Sequence, residues 1–318
     1  MVRGVSQLLD RSHYCTLCAC LHLKATTRSH RVVVIAMRSF AHEISESCAQ
    51  PWPICVINLA HASSRMKDVS SCLSSLGLPY KRFEAVNGEA LSASLVDALT
   101  VSDNRKYFKR CLTRGEIGCF ASHLLVWYQI ANSEHERVIV LEDDARLFTG
   151  AGLNIAILAD RNSDWDILKL CYEPSGNESD CLPTISEPRH IPFGTTGYAI
   201  TRAAARHLLS RVVPFSRPVD IELKTWWEHG LRVKVAVPPI GKAVKNNKKT
   251  SAIENERQRA AGQAPLKRFW RNLKYQAQRR ADKWQAQLGA RPRSSITNHN
   301  IQLWPVNPVI ARLLEEIA

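Results

Sequence analysis

The sequence predicts an α/β fold with buried parallel strands and a basic tail, and three observations carry these expectations. Residues 54–59 and 138–141 are continuous apolar runs of strand length, the pattern of strands covered on both faces. After the first run Met66, Val69, Leu73 and Leu76 recur at helical spacing, and a strand follows at 80–86, which gives the order of a βαβ unit. The third observation is the charge. The net +14 divides into +3 over residues 1–50, 0 over 51–240, where 21 Lys/Arg meet 21 Asp/Glu, and +11 over 241–318. A neutral body with a basic tail is expected rather than a uniformly basic protein. The 45% apolar and 23% charged composition excludes collagen-like, coiled-coil and wholly disordered chains.

Along the chain, residues 1–52 show no sustained periodicity and contain a second methionine, Met37, so they read as a loosely ordered extension. Cys15, Cys18, Cys20 and His22 lie there at a spacing that could seat zinc, but a second, separated ligand pair is missing. The folded domain is expected over 53–240. Its first helix closes on Gly77 in the C-cap region. Thr113-Arg114-Gly115-Glu116 matches a capping box and starts a helix to about Ala131, buried along Ile117, Phe120, Leu124, Trp127 and Ala131. The run 138–141 leads straight into Glu142-Asp143-Asp144, and residues 166–170 read as a further strand. Gly194-Thr195-Thr196-Gly197-Tyr198-Ala199-Ile200 leads into a helix with Ala204, Leu208 and Leu209 facing inward. Leu231, Val233, Val235 and Val237 alternate with Arg232 and Lys234, which predicts an edge strand with one wet face. Pro238 and Pro239 end it, and the boundary to a tail over 241–318 is expected near Gly241.

The ten cysteines read as reduced, because a chain of this length needs no covalent staples and opens on nothing resembling a secretion signal. A cytoplasmic protein is expected. No strongly apolar run approaches the roughly 20 residues of a membrane span.

Three adjacent carboxylates at the end of an apolar strand repel one another where solvent is partly excluded, so a positive partner is expected there. In open α/β sheets ligands bind at the carboxyl ends of the strands. Hard oxygen donors suit Mn²⁺ or Mg²⁺, which hold diphosphates through their oxygens. A solvated acidic turn or a helix N-terminus is the competing account.

Four ordered blocks resemble glycosyltransferase family 25. They are Val56-Ile57-Asn58-Leu59 followed by Arg65; Phe83-Glu84-Ala85-Val86-Asn87-Gly88; Leu112-Thr113-Arg114-Gly115-Glu116-Ile117-Gly118-Cys119-Phe120-Ala121-Ser122-His123; and Val140-Leu141-Glu142-Asp143-Asp144-Ala145. The family includes bacterial lipooligosaccharide galactosyltransferases and relatives that glycosylate collagen, and the resemblance spans about 53–240. It implies a GT-A-like, single Rossmann-type nucleotide-sugar-binding domain and a UDP-sugar donor, UDP-galactose above all. It also implies a glycan or lipid-linked acceptor, such as lipooligosaccharide or lipopolysaccharide core, and transfer with inversion. Glu142-Asp143-Asp144 then stands at the family's acidic metal and donor motif, a variant of Asp-x-Asp. Asp144 and Glu142, read as an i, i+2 pair on one side of an extended segment, are the expected metal ligands, and Asp143 is left for the donor ribose or sugar. Collagen modification is disfavoured by the missing secretion signal.

An inverting transfer needs a base. Asp220, in Pro218-Val219-Asp220-Ile221-Glu222, is the candidate, and its alternative is the N-cap of a helix containing Trp226 and Trp227. Glu116 and His123 lie seven residues apart, about 20° from one another around a helix, and could line the pocket as further catalytic groups. Their alternatives are the capping box and a buried, hydrogen-bonded histidine. Asn58 and Arg65 are donor-binding candidates at the first strand's end, with an exposed surface Arg as the alternative. Gly194-Thr195-Thr196-Gly197 offers a small-residue wall or an ordinary turn.

In the tail, apolar residues at 266, 269, 270, 273, 277, 284 and 288 approximate one helical stripe flanked by Lys267, Arg268, Arg271, Lys274, Arg279, Arg280 and Lys283. With Phe269, Trp270 and Trp284 this reads as a peripheral contact with an anionic membrane surface, or as a helix packed on the body. The alternative function is a non-catalytic protein that binds an anionic surface or nucleic acid through the tail. Nucleic acid is not expected as a partner, since the body is neutral and no helix-turn-helix, zinc-finger or RNA-reading motif is present.

Overall fold

Apolar runs buried on both faces make the central strands, and the computed structural model places them in one sheet. It describes residues 51–244 except 103–107, 109, 162–163, 174–181 and 189, together with scattered positions between 272 and 284 and residues 307–317. The elements in order are β1 (Ile54–Asn58), α1 (Ser63–Ser75), β2 (Tyr80–Glu84), α2 (Ala93–Leu99), α3 (Arg114–Ala131), β3 (Arg137–Glu142), β4 (Ala145–Leu147), α4 (Ala151–Asp160), β5 (Ile167–Cys171), β6 (Thr184–Ser186), β7 (Gly197–Thr201), α5 (Arg202–Leu209), α6 (Val219–Lys224), α7 (Trp226–His229), β8 (Val233–Val237), β9 (Gly241–Ala243) and α8 (Pro308–Ile317). The chain divides into two units, Met1–Ala49 and Gln50–Ala318, and all these elements belong to the second. The cysteine cluster of the first unit lies outside the described residues.

The strand order is β2-β1-β3-β7-β5-β8-β6, with β9 pairing both β4 and β5. β1 runs parallel to β2 and β3, and β7 lies antiparallel between β3 and β5, so β3 and β5 point the same way. The carboxyl ends of β1, β3 and β5 therefore meet the amino end of β7 at one edge of the sheet. Side chains alternate between two cores. Val138 and Val140 of β3, Ile167 of β5 and Tyr198 and Ile200 of β7 face the core built with α2, α3, α5 and α8. Ile139, Leu141, Leu168, Leu170 and Ala199 face the core under α1 and α4. The α/β expectation of a sheet covered on both faces is met, although the sheet is mixed rather than purely parallel.

Two of the quoted sequence blocks have a packing explanation. The loop after β2 lies directly on the first turns of α3, where a Cβ on Gly118 would come within 2.5 Å of Gly88 N and 2.7 Å of Val86 O. A Cβ on Gly88 would overlap the Arg114 carbonyl. Ser122 Oγ accepts from Val86 N at 2.8 Å and donates to Gly118 O at 2.7 Å, closing the contact. Gly118→Ala should therefore destabilise the protein by about 1–3 kcal/mol, as overpacking against backbone does, and a thermal melt at unchanged activity per folded molecule reads it.

Three expectations are corrected. The strand ending at Val237 is not an edge strand: β8 pairs β5 on one side and the short β6 on the other. The alternation that suggested a wet face arises because it is only half-covered near its start. The compositional break at Gly241 does not end the sheet, since β9 begins there and pairs β4 and β5. The far end of the basic segment also returns to the body: α8 buries Ile310 and Leu313, and Glu316 accepts from Ser92 N and Oγ at 2.6 and 2.7 Å. Within the expected tail helix, Leu273 and Trp284 are 49% and 64% exposed, and Tyr275 meets Phe108 edge-on at 5.7 Å. Leu266, Phe269, Trp270 and Leu288 lie outside the described residues.

Candidate active site

The site forms where β3 ends. Glu142 continues the inward alternation of Val138 and Val140 and so points under α3, while the chain turns at Asp143 and Asp144 because β4 leaves the line of β3 to pair with β9. Glu142 is thus the last residue of β3 and Asp143-Asp144 form a turn, not the continuous extended segment expected. The turn keeps the three carboxylates together.

Each carboxylate has a different surrounding. Glu142 Oε1 lies 3.3 Å from His123 Nε2 and accepts from Thr195 Oγ1. Burial alone would push this carboxyl up, but the hydrogen bonds from His123 and Thr195, with the charges of His123 and Lys169, hold it below its usual range. Asp143 accepts from Asn58 Nδ2 at 2.8 Å and pairs with Arg65 Nη1 at 3.1 Å, yet burial still pushes it up. Asp144 is raised to about 7 by burial and by the charges of Glu142 and Asp143, and its buried Oδ1 has no hydrogen-bond partner among the described residues.

That unpartnered oxygen tests whether a divalent cation fits. A buried carboxylate oxygen with nothing to accept, beside two more carboxylates, is what a hard-oxygen metal site needs. Glu142 and Asp144 would hold such an ion, while Asp143 is already engaged by Asn58 and Arg65. A second group, Cys119, His123 and Glu142, brings one ligand atom each within 4.8 Å. Its sulfur, nitrogen and oxygen donors suit zinc rather than Mn²⁺ or Mg²⁺.

The other expected residues separate. Asn58 and Arg65 both converge on Asp143, and the Arg65 side chain stays 40% exposed beside it. Glu116 and His123 do not meet, because seven residues carry them about 10 Å apart along the helix. Glu116 closes the capping box with Thr113 and pairs with Arg110. Asp220 sits in the first turn of α6, where Pro218 is the N-cap and no side chain caps the helix, so the capping role is not the one it takes. Trp226 and Trp227 belong to the separate α7. The charge of Asp220 acts on Lys169.

Lys169 is a buried charged residue beside Glu142 that the sequence reading did not single out. It is 2% exposed on β5, on the face it shares with Tyr198, and its Nζ donates to the Gly194 carbonyl. Burial lowers it to about 8 against the opposing pull of Asp220 and Glu142. The signal was present: a lone lysine inside Ile167-Leu168-Lys169-Leu170 has to find partners when both faces are covered. Thr195 and Gly194 make the turn before β7 more than a wall, since one donates to Glu142 and the other receives Lys169.

The family model described as glycosyltransferase family 25 (LPS biosynthesis protein) matches residues 52–223, the stretch that builds this sheet edge and α6. The chain belongs to glycosyltransferase family 25. Its curated relatives include a glycosyltransferase 25 family member of Anopheles gambiae, 32% identical over 179 residues, which is 52% of this chain and 30% of that protein. Procollagen galactosyltransferase 2 of Homo sapiens is 30% identical over 185 residues, 52% of this chain and 29% of that one. A probable inactive glycosyltransferase 25 family member 3 of Rattus norvegicus is 29% identical over 179 residues, 52% and 31% of the two chains. The chain thus spans less than a third of the length of these family 25 relatives. Among its described residues no helix is long and apolar enough to cross a membrane. Cys55, Cys72, Cys111 and Cys171 carry free thiols.

Proposed function

We propose that this family 25 chain is a GT-A-like glycosyltransferase that moves a hexose, galactose in first place, from a UDP-sugar to a glycan acceptor such as a lipooligosaccharide or lipopolysaccharide core, with inversion. The observation that carries the reading is the carboxylate turn at the carboxyl edge of the sheet, with Asp144 Oδ1 buried and unpartnered. Galactosyl transfer is supported by the similarity to the human procollagen galactosyltransferase 2.

Glu142 and Asp144 would hold Mn²⁺ or Mg²⁺, and a bound ion there supplies Lewis-acid stabilisation of the departing diphosphate. Arg65 and Asn58 fix Asp143 in one position, so that its carboxylate presents a rigid acceptor to donor hydroxyls. Asp220 takes the proton of the attacking acceptor hydroxyl, and the buried Lys169 feels the charges of both Asp220 and Glu142. Incubating the purified chain with a panel of nucleotide sugars and Mn²⁺ tests the reading by donor hydrolysis or saturable binding. Failure to bind any nucleotide sugar would leave the non-catalytic alternative, a surface-binding protein acting through its basic segment.

The basic segment supports attachment to the anionic lipids of a cytoplasmic membrane face, since each cation near such a surface contributes roughly 1 kcal/mol. Leu273 and Trp284 are left exposed for such a surface, while Tyr275 of the same segment packs on Phe108 of the body. Deleting 241–318 is the wrong test, because it strips Ile310 and Leu313 from the core and β9 from the sheet. Changing Lys267, Arg268, Arg271, Lys274, Arg279, Arg280 and Lys283 to Gln should instead release the protein from anionic vesicles at low salt with activity on a soluble acceptor preserved. Unchanged vesicle binding removes the attachment.

A further inference from the structure

Trp127, Tyr198 and His123 are fully buried between α3 and the sheet and join in series to Glu142. Trp127 Nε1, which can only donate, lies 2.9 Å from Tyr198 Oη. The same oxygen lies 2.8 Å from His123 Nδ1, and His123 Nε2 lies 3.3 Å from Glu142 Oε1. The direction of each bond follows from counting protons. If His123 Nδ1 carried a hydrogen, Tyr198 Oη would accept from both neighbours, and its own buried proton would have no acceptor among the described residues. Buried hydroxyls rarely go unsatisfied. The phenol therefore donates to Nδ1, and the ring hydrogen sits on Nε2, aimed at Glu142.

We propose that Tyr198 is a positioning residue: by donating to Nδ1 it locks His123 as the Nε2–H tautomer, and His123 together with Thr195 pins Glu142 Oε1 so that Oε2 is left for the cation. The inference rests on the reading of Glu142 as a metal ligand and extends it to the residues behind the ligand. Partners of this kind behind a ligand set its orientation, and their loss typically weakens metal binding ten- to a hundredfold. It also opposes the zinc account of Cys119, His123 and Glu142, which requires a bare Nε2 and hence the other tautomer.

Two measurements on the full chain decide it. In ¹⁵N-histidine-labelled protein, with His123 assigned by comparison with His123→Asn, Nε2 should report as protonated and Nδ1 as bare. The reverse pattern, or stoichiometric Zn²⁺ uptake lost in Cys119→Ala, overturns the proposal. In Tyr198→Phe, Mn²⁺ affinity read by electron paramagnetic resonance should fall about ten- to a hundredfold while circular dichroism is retained. A folded Tyr198→Phe with unchanged Mn²⁺ affinity overturns it as well. The tautomer is read on the unaltered protein, so it decides even where the variant fails to fold. An unaltered chain that binds neither Mn²⁺ nor a nucleotide sugar would sink the functional reading, and the tautomer would still be decided separately.

Discussion

Asp144→Asn should reduce sugar transfer by about a hundred- to a thousandfold while leaving the protein folded, the scale on which losing a transition-state charge partner is felt. The expectation combines two facts. Asp144 offers a buried oxygen that none of the described residues satisfies, and burial together with the repelling charges of Glu142 and Asp143 raises it to about 7. Removing its charge relieves that repulsion, so in chelator the variant should melt no lower than the unaltered chain. Mn²⁺ binding should be lost with the activity. An Asp144→Asn variant that transfers sugar normally, alongside an unaltered enzyme indifferent to chelation, would remove the cation from the site without touching the sheet.

Asp220→Asn is the second large effect expected. A base acts on the acceptor proton in the transition state, so kcat should fall about 10²–10⁴-fold while the donor dissociation constant stays nearly constant. Stability should change little, because Asp220 makes no capping hydrogen bond and Pro218 occupies the N-cap of α6. A matching loss of donor binding would move Asp220 to the donor side of the pocket. A lower melting temperature with turnover intact would make it structural.

Much of the site was legible because it is local. The carboxylate triplet follows an apolar strand directly, the capping box at Thr113 announces α3, and Asn58 closes β1, so three elements and their ends could be placed from spacing alone. What the two neighbouring glycosyltransferase blocks were for was less evident. Gly88 and Gly118 turn out to be where one loop and one helix touch backbone to backbone, a contact between segments about thirty residues apart. Short strands escaped the reading altogether. β4, β6 and β9 have three residues each, too few for a period to show, and their pairing is set by neighbours. α8 carries a clear apolar face, but only its docking on α2 and α3 explains why a helix is retained beyond the basic segment.

The sequence by itself determined the α/β class, the buried strands, the carboxylate triplet at a strand end and the division of charge between body and tail. Periodicity and adjacency are one-dimensional properties, and each of these is written in them. Only the tertiary structure decided which groups come together at the end of β3. It inserted β7 antiparallel between β3 and β5, and that single reversal set Thr195 and Tyr198 beside Glu142 and placed Lys169 on the same face. It also parted Glu116 from His123, giving one to Arg110 and the other to Glu142. Hydrogen bonds and ion pairs reach only about 3 Å, so membership in the site depends on strand register and helix docking, which no spacing along the chain encodes.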